Sequence, residues 1–236
     1  MATNLTNLYL NDFRNIRRDP ILIYGLMGPL IAMLVTRLFV PQVEQIPSVY
    51  YPYIAILTIL ISPIVFGFIA GFILLDEKDD NVLMALKVLP ITTVAFVTYR
   101  MIFSVTFSFV YTIIAILILS NLVIVPISSI IPIAILIAIE APIIALILFT
   151  FSKNKVEGVA LLKGLNFVFI LIPVVALFIP SRLQYLAGVI PMFWPAKAFV
   201  EVVSGNADIW GYVLLGVVVH LIYLGGLLRG FENKGF

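Results

Sequence analysis

Glu140 and His220 are the two ionisable side chains that lie deep inside long apolar stretches, in IAILIAIEAPIIALILF and VLLGVVVHLIYLGG. A carboxylate and an imidazole can pass a proton, hold a cation or serve as acid and base. The rest of a catalytic set is missing. His220 is the single histidine, so the two or three that zinc usually takes cannot be assembled, and neither His-Glu-x-x-His nor Gly-x-Ser-x-Gly occurs. Zero cysteines remove thiolate ligands and disulfides together. An intramembrane enzyme has no constellation to work with. Glu140 has only Leu136, Ile137, Ile143 and Ile144 one turn away, so an ionised carboxylate would be expensive there; it is either protonated or faces a partner on another segment. Pro142, two residues on, predicts a kink where the carboxylate projects, as in a helix exposing polar groups to a substrate pathway. His220 follows Gly216 and precedes Gly225 and Gly226; small residues allow close packing, and a hydrogen-bonded core histidine is favoured over a pathway or proton role.

The second chemically dense stretch is DEKDDNVLMALKVLPIT, Asp76 to Thr92. Asp76, Glu77, Asp79 and Asp80 precede a helical pattern, where acids favour a helix N-terminus, and Pro90 ends it. At 100° per residue Val82, Ala85, Leu86 and Leu89 share one face, with Asp80 and Lys87 opposite. The pattern predicts a short amphipathic helix that either rests on lipid headgroups or docks in a groove of a cytoplasmic partner.

The elements that must position these groups are membrane helices. Of 236 residues 63% are hydrophobic and 11% charged, with a mean hydropathy of +1.19, which leaves too little charged surface for a soluble domain. A net charge of +2 is too small and dispersed to argue for nucleic acid. Stretches long enough to cross a hydrocarbon core occur at residues 21–40, 53–75, 99–119, 130–151 and 209–228. A sixth, 165–180, is shorter and carries Pro173, and an irregular or half-inserted segment is expected after it, within 181–208. Eleven of the fourteen Lys and Arg residues fall in one set of flanks and loops, while Arg37, Arg182 and Lys197 make up the other. That split predicts both termini in the cytoplasm and agrees with an even number of spans.

Before the first span, Leu5, Leu8, Tyr9, Phe13 and Ile16 share one helical face, with Asn4, Asn7, Asn11, Arg14 and Arg18 opposite. This predicts an interfacial helix over 1–19 on an anionic leaflet. Tyr50, Tyr51, Tyr53, Phe193, Trp194 and Trp210 suit headgroup depth at the outer side. The loops leave no room for a soluble domain, so residues 1–236 read as one transmembrane domain: all-α, with six membrane-spanning helices, an amphipathic leader and a short half-inserted segment before the last helix.

In three pieces the chain resembles the permease subunits of the ABC-2 type transporter family: RNIRRDP at Arg14 to Pro20, the acidic-then-amphipathic inner loop ending in Leu89-Pro90, and IPMFWP from Ile190 to Pro195 before the last span. With the six-span layout the resemblance covers nearly the whole chain. It implies that the leader is a connecting helix and that residues 76–92 form a coupling helix touching an ATP-binding subunit. Asp76, Glu77, Asp80, Val82, Leu86 and Leu89 would then carry the contact, with Ser152 to Gly164 as a second ATPase-facing loop. It also implies a half-inserted segment from Gly188 to Val203 and a second permease copy or paralogue. ATP and Mg would be bound by the partner, since no Gly-x-x-x-x-Gly-Lys-Ser/Thr loop occurs here. The competing reading is a stand-alone proton-coupled transporter or channel built on Glu140 and His220.

Overall fold

The computed structural model describes residues 20–79, 93–206 and 208–232. The expected leader helix and the amphipathic face of Val82, Leu86 and Leu89, with Asp80, lie outside them. Every described regular element is helical: α1 (Pro20–Phe39), α2 (Tyr51–Ile59), α3 (Ile61–Asp79), α4 (Thr93–Ile118), α5 (Ile127–Ala138), α6 (Glu140–Phe151), α7 (Lys155–Asn166), α8 (Ile172–Ala176), α9 (Phe193–Val203) and α10 (Trp210–Glu232). Six segments are long and apolar enough to cross a bilayer, because α2 continues into α3, α5 into α6, and α7 through a π-helical turn into α8. Helix is the only form in which such sequences satisfy their own backbone in lipid.

The three continuations are each interrupted by a turn, and a proline lies beside each. Pro63 cannot donate to the carbonyl of Ile59, and the Ser62 hydroxyl donates there instead, at 2.9 Å. The interruption beside it falls at Leu60. Pro142 likewise leaves Ala138 without its helical donor, and the fourth span breaks at Ile139, as expected from sequence. Pro173 leaves Phe169 without its donor, and the chain widens into the π turn Phe167–Leu171.

The second and fourth spans form the centre, with 83% and 67% of an apolar 18-residue stretch of each buried, against 11% for the first and 17% for the sixth. Central packing depends on Gly67 and Gly71. A Cβ at Gly67 would stand 2.5 Å from the Ala141 carbonyl oxygen and 2.7 Å from Ile144 Cβ; at Gly71 it would stand 3.1 Å from Leu148 Cβ. This Gly-x-x-x-Gly seam brings the backbones of α3 and α6 together. Phe66, Phe72 and Phe149 fill the space alongside, all fully buried.

The ends differ. Where α1 and α4 finish, the Arg37 guanidinium donates to the Ile118 carbonyl and Asn121 Nδ2 to the Arg37 carbonyl at 3.0 Å. Arg37 thus covers an orphan carbonyl of a helix C-terminus. At the other end, called here the basic end, α3 and α6 finish and α4 and α7 begin. The loop expected over Ser152–Gly164 is mostly helix. Only residues 152–154 separate α6 from α7, and Asn154 caps α7 by accepting from the Glu157 N–H at 3.0 Å, while Glu157 accepts from the Lys153 N–H at 2.8 Å. Asn-x-x-Glu is a capping signature that moves the fifth span's start to Lys155.

The seam makes a direct prediction. Gly67→Ala should cost about 1–3 kcal/mol through overpacking, read as a lower melting temperature of the detergent-solubilised protein. Gly28→Ala, where an added Cβ meets nothing within 4 Å, should melt like the parent.

Candidate functional site

Two groups of chemically active side chains stand out, and the first closes the basic end. Three consecutive residues in the last turn of α3 reach three different neighbours. Asp76 Oδ2 pairs with Lys155 Nζ of α7 at 2.7 Å, and Glu77 pairs with Arg100 of α4. Lys78 Nζ donates to the Ser152 carbonyl beyond α6 at 3.4 Å and stands 5.5 Å from the Phe149 ring. Successive helical residues are 100° apart, so three in a row sweep about 200° of the helix surface and can touch several packed helices. The pairs differ in kind. Glu77 and Arg100 are shielded, at 15% and 4% exposure, while Asp76 and Lys155 are well exposed. Water screens the second pair, and it is worth at most about 1 kcal/mol.

Asp76 and Glu77 were expected ahead of an amphipathic helix. Helix α3 instead runs on to Asp79, so both lie at the C-terminal turn of a spanning helix. Acids are disfavoured there by the helix dipole, and Lys155 and Arg100 supply the compensating charge. Of the other residues expected to carry ATPase contact, Asp80, Val82, Leu86 and Leu89 follow directly but are outside the described residues. Arg100, near the start of α4, is buried against Glu77.

The second group is Glu140 with His220. Glu140 opens α6 at the break and His220 lies mid-way along α10; their Oε2 and Nε2 atoms are 2.9 Å apart, and neither side chain is exposed at all. The contact is close but off-line as a hydrogen bond. His220 Nδ1 is 2.6 Å from the Gly216 carbonyl, an acceptor only, so Nδ1 carries a proton and Nε2 turns to the carboxyl group. Each ionisable group is thus the other's buried polar partner across the fourth and sixth spans. That removes the cost of an isolated charge in an apolar interior.

Sequence reasoning set both residues in one competing proton-coupled reading without pairing them, and the structure makes each the other's partner. It also encloses them. The groove nearest to them, about 390 Å³ between α4, α6 and α10, is lined by Met101, Ile102, Val105, Pro142 and Leu221 among others, not by Glu140 or His220. A second cleft of about 330 Å³ is an aromatic cup at the opposite end, formed by Tyr50, Tyr53 and Phe178, with Tyr53 stacked on Phe178 at 4.2 Å.

The segment before α10 is stitched onto that helix. A 3₁₀ stretch, Arg182–Val189, precedes α9. Trp194 Nε1 donates to the Gly188 carbonyl at 2.8 Å, and the Trp194 Cβ packs where a Gly216 side chain would be. Tyr223 donates to the Val189 carbonyl at 3.0 Å. Tyr223 lies thirteen residues after Trp210, about 20 Å along α10 at 1.5 Å per residue. Lys197, which sequence reasoning used only as a topology marker, is nearly buried beside Glu201 at 2.6 Å and between the rings of Tyr185 and Tyr212 at 6.0 and 5.9 Å. Burial alone would raise the Glu201 carboxyl, but hydrogen bonds from Lys197 and Asn206 and the Lys197 charge outweigh it and hold the group below its ordinary range. The signal for this pair was Lys-x-x-x-Glu spacing within one helix.

These features belong to a recognisable lineage. The family model described as "Fluoroquinolones export permease protein Rv2686c-like" matches residues 12–228. Two curated relatives, the Fluoroquinolones export permease proteins Rv2686c and MT2760 of Mycobacterium tuberculosis strains H37Rv and CDC 1551, are each 32% identical over 95% of this chain and 92% of their own length. No solved structure matches. The chain thus belongs to the Rv2686c-like family of fluoroquinolones export permease proteins.

Proposed function

We propose that this chain is the membrane subunit of an ATP-driven exporter in the cell membrane, with the basic end and both termini in the cytoplasm. A separate ATP-binding cassette subunit would bind ATP and Mg and meet residues 76–92, with the short link 152–154 and the first turn of α7 as a second contact. A second permease copy or paralogue would complete the pathway. The observation that carries this reading is the fan of contacts from Asp76, Glu77 and Lys78 to α7, α4 and the end of α6. It places the root of the amphipathic loop on a node joined to three other spans, where a push on the loop reaches the helices. The transported class suggested by the relatives' names is a fluoroquinolone, a flat amphipathic ring system. The aromatic cup at the opposite end and the apolar groove by Pro142 offer surfaces of that character.

A gradient-driven carrier finds support in the contact between Glu140 and His220, but a relay also needs a route to water. Both groups are wholly buried, and the large grooves described pass them by. In the exporter the pair ties the fourth span to the sixth.

Two experiments test this. Purified gently from its native membrane, the chain should retain an ATPase, and Leu86→Glu should weaken that association at least about tenfold, or ~1.4 kcal/mol. Recovery of the chain alone, or an unaffected Leu86→Glu, overturns the reading. In everted vesicles supplied with ATP, ciprofloxacin uptake should survive a protonophore and Glu140→Gln, whose amide can still meet His220. Glu140→Ala should destabilise the protein by about 3–5 kcal/mol by stranding its partner. Uptake that collapses with the proton gradient favours the carrier.

A further inference from the structure

We infer that α3, α6, α7 and the start of α4 form one rigid transmission body, and that Glu77, Arg100, Asp76 and Lys155 are the positioning residues that hold it together. The inference deepens the exporter reading and rests on it. Four observations converge. The ion pairs tie the end of α3 to α4 and to α7, and Lys78 ties it to the chain just past α6. The Gly67–Gly71 seam fixes α3 against α6 along their length. Gly158 fixes α7 to α3 in the same way, since a Cβ there would stand 3.2 Å from Leu75 Cδ1 and from Phe72 Cε2. The link from α6 to α7 is residues 152–154, closed by the Asn154 cap, and has no slack to give.

The body also has natural edges. Helices α6 and α7 are both twelve residues long, so the break at Ile139 and the π turn at Phe167–Leu171 each lie about 18 Å of helix from the link that joins α6 to α7. In both spans the irregularity separates the clasped half from α5 and α8. Proline-relieved breaks are where a helix bends most easily. A load applied at residues 76–92 therefore swings the clasped halves together about those two points, instead of sliding α3 past α4 or α7.

A body that moves as one has an unusual property: locking its internal contacts covalently should do no harm. The chain contains no cysteine, so introduced pairs report unambiguously. Gly71→Cys with Leu148→Cys, where a Cβ at Gly71 would stand 3.1 Å from Leu148 Cβ, closed to a disulfide in everted vesicles holding the partner ATPase, should keep ATP-driven ciprofloxacin uptake within about twofold of the same variant left reduced. Glu77→Gln should instead lower uptake about five- to tenfold while ATP hydrolysis continues, the size of a lost coupling term. Exchanging the charges, Glu77→Arg with Arg100→Glu, should restore most of it. Bridging that abolishes uptake, a pair that does not bridge, or a Glu77→Gln protein that exports normally overturns the proposal. Wild-type uptake that needs no ATP would reject the exporter reading instead, and the bridging result would still decide whether α3 and α6 stay together.

Discussion

The whole arrangement depends on how closely α3 approaches α6. With Gly67 opposite the Ala141 carbonyl, there is no room for even one methyl group, and the contact lies directly beside Glu140 and the break at Ile139. In lipid the apolar effect does not drive helices together, because acyl chains are as apolar as leucine; close van der Waals contact must do it. The seam supplies that contact for the two most buried spans, and the others pack around it. At the basic end of the same helix α3, Glu77 meets Arg100 and Asp76 meets Lys155.

Charge is then placed where the seam and the helix ends can neutralise it. At the basic end, acids in the final turn of α3 oppose the helix dipole and would be a defect alone; with Lys155 and Arg100 beside them they become the joints between spans. Mid-bundle, the carboxyl group meets the imidazole, so each ionisable group enters the core with a polar partner. At the opposite end the Arg37 guanidinium is met by the Ile118 carbonyl at the end of α4. Each site solves the same desolvation problem with a different partner: a paired charge, a facing ionisable group or a helix terminus.

Much of this was legible in the sequence. Apolar length gave five of the six spans to within a few residues, and Pro142 marked the break beside Glu140. The fifth span was displaced because Lys155, Glu157 and Lys163 made residues 155–164 look like a loop; the Asn154 cap and Glu157 were the overlooked signal, and the charges lie in the first turns of a long helix. Asp76 and Glu77 were read forwards, as heading the next helix, because a run of acids looks the same at either end of a helix until its partners are known. Pairing across a bundle is a property of register, which periodicity in one span does not encode. That is why Glu140 and His220 were both noticed and still not joined. The Gly67–Gly71 motif was present in the sequence but is common in apolar helices, and only the facing Ala141 and Ile144 give it meaning.

The same logic explains why the fold is stiff in one half and interrupted in the other. Prolines that break spans two, four and five remove helical bonds inside an apolar interior, which is tolerated only where a side chain, a wider turn or a neighbouring helix accommodates the freed carbonyl. Ser62 does so for Ile59, and the π turn does so near Pro173. These interruptions lie beyond the clasped, glycine-sealed half and not within it. An export permease needs at least two arrangements of its helices, and a chain with a rigid, charge-tied end feeding bendable points can change between them without unpairing a buried ion. Breaking Glu77 from Arg100 at every cycle would strand two shielded charges each time; bending at Ile139 and Phe167–Leu171 strands none.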